Sequence, residues 1–184
     1  MQNTSTIRLL NPCDYIKIHK IFSHYVSNSY VTPEFNIPVF SEFERKLKSI
    51  TEYYPFLVCE VEEQIVGYTY ATKYRVTSGN QWSVETAIYL TEDFHGKGYA
   101  KVLYEKLFSI LALQNFVNVF AGIVLPNDKS ISFHKKLNFH EAGVFKNGIY
   151  KFDRWHDVQW MQLKLREHVQ HPASTISAHD VIIH

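Results

Sequence analysis

The feature that most limits what this chain can become is the run His95-Gly96-Lys97-Gly98-Tyr99-Ala100, which joins a strand-like segment to a strongly amphipathic helix-like one. From Trp82 to Leu90, Glu85, Ala87 and Tyr89 alternate with Val84, Thr86, Ile88 and Leu90, so the two sets fall on opposite faces of a strand. Glu85 interrupts an otherwise mostly apolar run. After Gly98, Ala100, Leu103, Leu107, Ile110 and Leu111 share one helical face, with Lys101, Glu105 and Lys106 largely off it. Glycines at such a junction let backbone N–H groups approach a ligand, and the helix start adds its positive dipole end. The junction is therefore either a plain turn or a cradle for a diphosphate. It has neither the Gly-x-x-x-x-Gly-Lys-Ser/Thr pattern of nucleotide-hydrolysing loops nor the dinucleotide fingerprint.

The rest of the chain supplies the layers around this unit. Ile7 to Leu10 reads as a short strand, and Asn11-Pro12 starts a helix carrying Ile18, Ile21, Phe22 and Tyr25. Pro33 and Pro38 make 29–39 irregular, after which Ser41, with Glu44 three residues on, reads as a capping box opening a second helix. Two runs, 56–61 and 65–71, flank the polar Glu62-Glu63-Gln64 as an antiparallel hairpin. Val117 to Val124 reads as a buried strand, Asn127-Asp128 caps a helix through Leu137, and Ala142 to Tyr150 and His156 to Leu165 read as closing strands. The order predicts one mixed α/β domain over 1–166, without repeats or a linker, and a loosely ordered tail over 167–184.

Composition excludes several classes. Nineteen Lys+Arg against eighteen Asp+Glu leave a charge of +1, so neither nucleic acid nor an anionic membrane is an expected partner. No stretch approaches the roughly 18 apolar residues of a membrane span, and the opening residues lack the features of a secretory signal, which predicts a soluble, cytoplasmic protein. Cys13 and Cys59 have no metal-ligand spacing and read as reduced packing residues. The tail histidines His168, His171, His179 and His184 are scattered without fixed spacing, so no metal site is expected.

The glycine loop is similar to the Gln/Arg-x-x-Gly-x-Gly/Ala signature with which the GNAT superfamily of N-acetyltransferases holds the coenzyme A pyrophosphate. Gly96 and Lys97 take the variable pair, Gly98 the fixed glycine and Ala100 the small residue, while His95 departs from the usual Gln or Arg. Trp82-Ser83-Val84-Glu85-Thr86 and Leu125-Pro126-Asn127-Asp128-Lys129-Ser130, followed by His134 and Trp155-His156-Asp157-Val158, resemble the phosphinothricin acetyltransferase branch. The likeness runs from about Ile7 to Leu165.

The resemblance implies a GNAT acyl-CoA N-acyltransferase fold, a mostly antiparallel six- to seven-stranded sheet flanked by about four helices. It implies acetyl-coenzyme A as cosubstrate, a small amine as acceptor, no metal and a homodimer. The cosubstrate would meet the backbone of Ile88, Tyr89 and Leu90, the loop and helix start from His95 through Tyr99 and Ala100 to Lys101, and Asn127 and Ser130. The Tyr89 amide would polarise the thioester oxygen.

Residue by residue, the catalytic candidates keep alternatives. Glu85 is either a general base for the amine or one half of an ion pair. At 100° per residue Asn127, Ser130 and His134 fall within about 60° of one another, beside Ile131 and Leu137, so a polar stripe faces inward. On spacing alone His134 is a satisfied core histidine; the resemblance places it near the cofactor sulfur. Arg75 is either a surface residue or an anchor for a substrate carboxylate. The acceptor expected from the branch is an amino-acid-like amine such as phosphinothricin or methionine sulfone or sulfoximine. A peptide or protein N-terminus, a polyamine, or a noncatalytic acyl-CoA-binding domain are the alternatives.

Overall fold

The computed structural model describes residues 5–182, so the first four residues and His184 of the expected tail lie outside the described residues. The strands are β1 (Ser5–Leu9), β2 (Phe56–Val61), β3 (Gln64–Lys73), β4 (Ser83–Leu90), β5 (Asn118–Val124), β6 (His140–Lys151) and β7 (Arg154–Lys164). The helices are α1 (Tyr15–Asn28), α2 (Phe40–Thr51), α3 (Tyr99–Leu113), α4 (Asp128–Lys136) and the short α5 (Ala178–Ile182). The seven strands form one sheet in the order β1-β2-β3-β4-β5-β7-β6. Every neighbouring pair is antiparallel except β4 and β5. The mixed α/β architecture expected from the sequence is the one observed.

Strand alternation sorts the core into two layers. Along β2, Leu57 and Cys59 pack with Leu103, Leu107 and Leu111 of α3, while Phe56 and Val58 pack with Ile18, Phe22, Phe43 and Leu47 of α1 and α2. The apolar stripes of α1 and α3 thus cover opposite faces of the sheet, and each buried leucine or phenylalanine contributes about 1.5–3 kcal/mol. Asn115 and Asn138, with φ of 70° and 65°, end α3 and α4 in the left-handed conformation that asparagine tolerates.

Three local expectations change. Helix α2 begins at Phe40 with Val39 as its cap, and no side chain caps it. Ser41 already lies within the first turn, where it cannot serve as the cap, because the chain after Pro38 enters the helix earlier than the capping-box spacing suggests. Cys59 is fully buried, and burial pushes its thiol up to about 11, whereas Cys13 is exposed in a 3-10 turn over Pro12–Asp14 and packs no core. The tail, expected to be loose, has polar partners: Ile176 N–H donates to Gln114 O, Ala178 N–H to Tyr53 O, and Trp82 Nε1 to Ala173 O at 2.7 Å. Backbone bonds of this kind leave no apolar period in the sequence.

Candidate active site

The parallel pair β4 and β5 is joined only over Ser83–Glu85 and Asn118–Phe120. Beyond Glu85 the strands diverge, so the β5-facing backbone edge of the last residues of β4 has no strand partner among the described residues. A cavity of about 310 Å³ opens in this gap, walled by Thr86 to Tyr89 on one side and Ala121 to Val124 on the other. Ile88, Tyr89, Asn127 and Ser130, all expected at the site, line it.

Glu85 and His134 enter this cavity from opposite faces of the sheet. Glu85 shares its face with Ala87 and Tyr89, which pack toward α1 and α2. Burial pushes its carboxyl above the ordinary value of 4.5, and no basic side chain lies within ion-pair distance of it among the described residues. The ion-pair alternative therefore has no partner there. His134, 3% exposed, projects from α4 on the α3 side and packs edge-on against Tyr104 and Phe139.

The bonds around His134 fix its tautomer. Its Nδ1 lies 2.8 Å from the Ser130 carbonyl, which can only accept, so Nδ1 carries the proton and Nε2 the lone pair. Burial lowers the pKa of the imidazole, against the smaller opposing pull of the Ser130 carbonyl, so the ring is neutral at pH 7. Nε2 accepts a long bond, 3.4 Å, from the Tyr104 hydroxyl, which in turn accepts from Thr86 Oγ1 at 3.4 Å. Tyr104 and Thr86 were invisible as site residues in the sequence, because one is an ordinary member of the apolar stripe of α3 and the other an ordinary strand position.

On the α3–α4 side a second cleft of about 360 Å³ is lined by Leu90, Gly96, Gly98, Ala100, Lys101 and Lys136, among others. Gly96 and Gly98 have φ of 72° and 91°, and a Cβ on either would point into open space, so backbone conformation demands glycine here. The N–H groups of Gly96, Lys97, Gly98, Tyr99 and Ala100 have no acceptor among the described residues, whereas Lys101 N–H is spent on Gly98 O at 3.0 Å. A row of unpaired donors at the start of a 15-residue helix fits a pyrophosphate.

Other expected residues are placed differently. The backbone N–H of His95 donates to Glu92 O, and its ring lies 3.0 Å from the Leu90 carbonyl, which also accepts from the Tyr25 hydroxyl at 2.6 Å. His95 thus braces the loop against the end of β4. The Lys97 ammonium sits 5.1 Å over Phe94. Arg75 is exposed, its guanidinium 5.3 Å over Tyr74, and it is not among the residues lining the cavity.

Fold, cavity and donor row together define a GNAT-type acetyltransferase, and residues 7–160 match the acetyltransferase (GNAT) domain family: the chain belongs to that family. Within it the chain falls in the phosphinothricin acetyltransferase-like branch. It is 31% identical to the phosphinothricin N-acetyltransferase of Streptomyces viridochromogenes over 85% of each chain. It is 29% identical to the L-methionine sulfoximine/L-methionine sulfone acetyltransferase of Salmonella typhimurium, over 89% of this chain and 96% of that one. The crystal structure of a phosphinothricin acetyltransferase from Sinorhizobium meliloti in complex with AcCoA superposes with a TM-score of 0.89 at 30% identity, covering 94% of this chain and 95% of that chain.

Proposed function

We propose that this enzyme transfers the acetyl group of acetyl-coenzyme A to the primary amine of a small amino-acid-like molecule, of the phosphinothricin or methionine sulfone type, by direct attack in a ternary complex. The observation that carries the reading is the meeting of Glu85 and His134, from opposite faces of the sheet, in the one gap between β4 and β5. The names of the relatives support the acceptor class.

Acetyl-coenzyme A supplies an activated acyl carbon when bound along this gap. The donor row from Gly96 to Ala100 holds its diphosphate, the open edge of Ile88, Tyr89 and Leu90 bonds its pantetheine arm, and Asn127 and Ser130 flank the arm from α4. The Tyr89 amide polarises the thioester oxygen. Glu85 removes a proton from the ammonium, directly or through one water, because only the neutral amine has a lone pair to attack with. As the C–N bond forms and the C–S bond breaks, the thiolate must gain a proton. Neutral His134 acts as the relay: its Nε2 takes the second proton, the one the nitrogen sheds as it becomes the amide, and passes it to the sulfur, while Nδ1 stays bonded to Ser130. Cys59, buried and with a raised pKa, takes no part.

Thiol release from acetyl-coenzyme A, measured over a panel of L-phosphinothricin, L-methionine sulfone, spermidine and an alanine-initiated peptide, tests the proposal. Turnover is expected with the amino acids. Release with spermidine or peptide alone reassigns the acceptor, and release with none overturns the activity. A homodimer in the cytoplasm is part of the same reading, and sedimentation of the purified chain checks the first.

A further inference from the structure

The described charges that line the acceptor cavity divide in a simple way. Two carboxylates, Glu34 and Glu85, and one ammonium, Lys46, reach its wall among the described residues. Glu34 makes no ion pair among the described residues; beside it Lys151, a side chain only 2% exposed, donates to Thr32 O at 2.9 Å and so fastens the cavity-lining loop to the end of β6. Glu85 awaits the substrate ammonium. Lys46 is the one lysine or arginine on the wall among the described residues, and it makes no ion pair there, while Lys48 beside it is paired with Glu44.

Its position is defined by the wall itself. The Lys46 ammonium lies 5.8 Å over the ring of Phe22, which packs edge-on against Tyr89 at 5.9 Å, and both rings line the cavity on the Glu85 face of the sheet. Arg75, the cation that the sequence offers for a substrate carboxylate, lies outside that wall.

We infer that Lys46 is the specificity-determining residue that holds the α-carboxylate of the acceptor while its amine faces Glu85. The inference rests on the proposed acetylation of an amino-acid-like amine and narrows it to acceptors that carry an anionic group beside the amine. A zwitterion then presents its ammonium to Glu85 and its carboxylate to Lys46. A decarboxylated amine leaves Lys46 without a partner, and a polyamine places a second cation against it. Because Lys46 is exposed, the pairing is screened by salt.

The experiment compares kcat/KM for L-methionine sulfone with that for 3-(methylsulfonyl)propylamine, the same molecule without its carboxylate. In Lys46→Ala the ratio of the two should fall about tenfold, the scale of one charge-assisted contact, with the change in KM rather than kcat. Lys46→Glu should lower it further, Lys46→Arg should restore most of it, and Lys48→Ala should leave it unchanged. Added sodium chloride should raise KM for the amino acid in the native enzyme and have little effect in Lys46→Ala. An unchanged ratio in both Lys46→Ala and Lys46→Glu overturns the inference, as does a native enzyme that acetylates the amine but not the amino acid. Absence of thiol release with any primary amine instead removes the proposed activity on which the inference rests.

Discussion

Replacing Glu85 by Gln removes a charge and a proton-accepting oxygen while keeping the shape of the side chain. A positioned general base contributes about 10²–10⁴-fold, or about 3–5 kcal/mol of the barrier, so kcat for an amino-acid acceptor should fall within that range. Affinity for acetyl-coenzyme A should change less than about twofold, because the cleft holding the donor row is on the other face of the sheet. The same substitution should stabilise the fold at high pH, and the sign follows from burial. Burial raises the folded pKa of Glu85 above its ordinary value of 4.5, so the folded state holds this proton more tightly than the unfolded chain does. The stability gained is fully present below the unfolded value and is lost as pH rises through the folded one. At pH 8 the native carboxylate is a half-buried charge with no ion-pair partner among the described residues, and Glu85→Gln should melt higher than the native protein, with the difference closing toward pH 4. Single-turnover acetylation across a pH series, beside calorimetric melting at the two pH values, measures both effects. Native kcat in the variant at every pH would refute the role of Glu85, and a lower melting temperature at pH 8 would refute the account of its burial.

Three further outcomes are expected. A Cβ at Gly67 would lie 2.4 Å from Leu90 Cδ2 and 2.6 Å from the Tyr89 carbonyl oxygen, so Gly67→Ala must push β4 aside; it should cost about 1–3 kcal/mol, lower the melting temperature by about 2–10 °C, and weaken acetyl-coenzyme A binding by calorimetry. Arg8 binds Asp14 at 2.6 Å and Glu60 at 2.7 Å; burial of Asp14 opposes its ionisation, but the hydrogen bonds from Arg8 prevail and hold that carboxyl below 3.8. Arg8→Ala should therefore cost about 2–4 kcal/mol in denaturant melts at pH 7, a loss that narrows as acid protonates Asp14 through its folded pKa. His134→Ala should slow single-turnover acetylation by about 10- to 100-fold with a smaller change in amine KM, and an unchanged rate removes the relay.

What the sequence reveals, and what it conceals, follows from the range of the interactions. The alternation around Glu85, the stripe of α3 and the inward line of Asn127, Ser130 and His134 are local periodicities, and each appears in the structure where the spacing puts it. The Asn127 cap is local as well, its side chain accepting from Ser130 N–H at 3.1 Å. His95 bracing Leu90 shows the limit of a motif, since the signature marks the position but not which groups are already spent. Lys46 meets Thr32 on the cavity wall, and Lys151 meets Thr32 through a hydrogen bond, from chain segments far apart in sequence that no period connects. Tyr30 stacked on His156 at 4.6 Å, with its hydroxyl donating to Pro126 O, is concealed for the same reason.

The brief pairing of β4 with β5 turns the sheet into a partition with an aperture. In the proposed reaction, carrier and acceptor enter from separate rooms and touch across that opening. Substitutions on the α1–α2 side can then retune which amine is taken up while the machinery gripping the carrier stays untouched, so one handle for coenzyme A can serve a lineage of enzymes with different tastes.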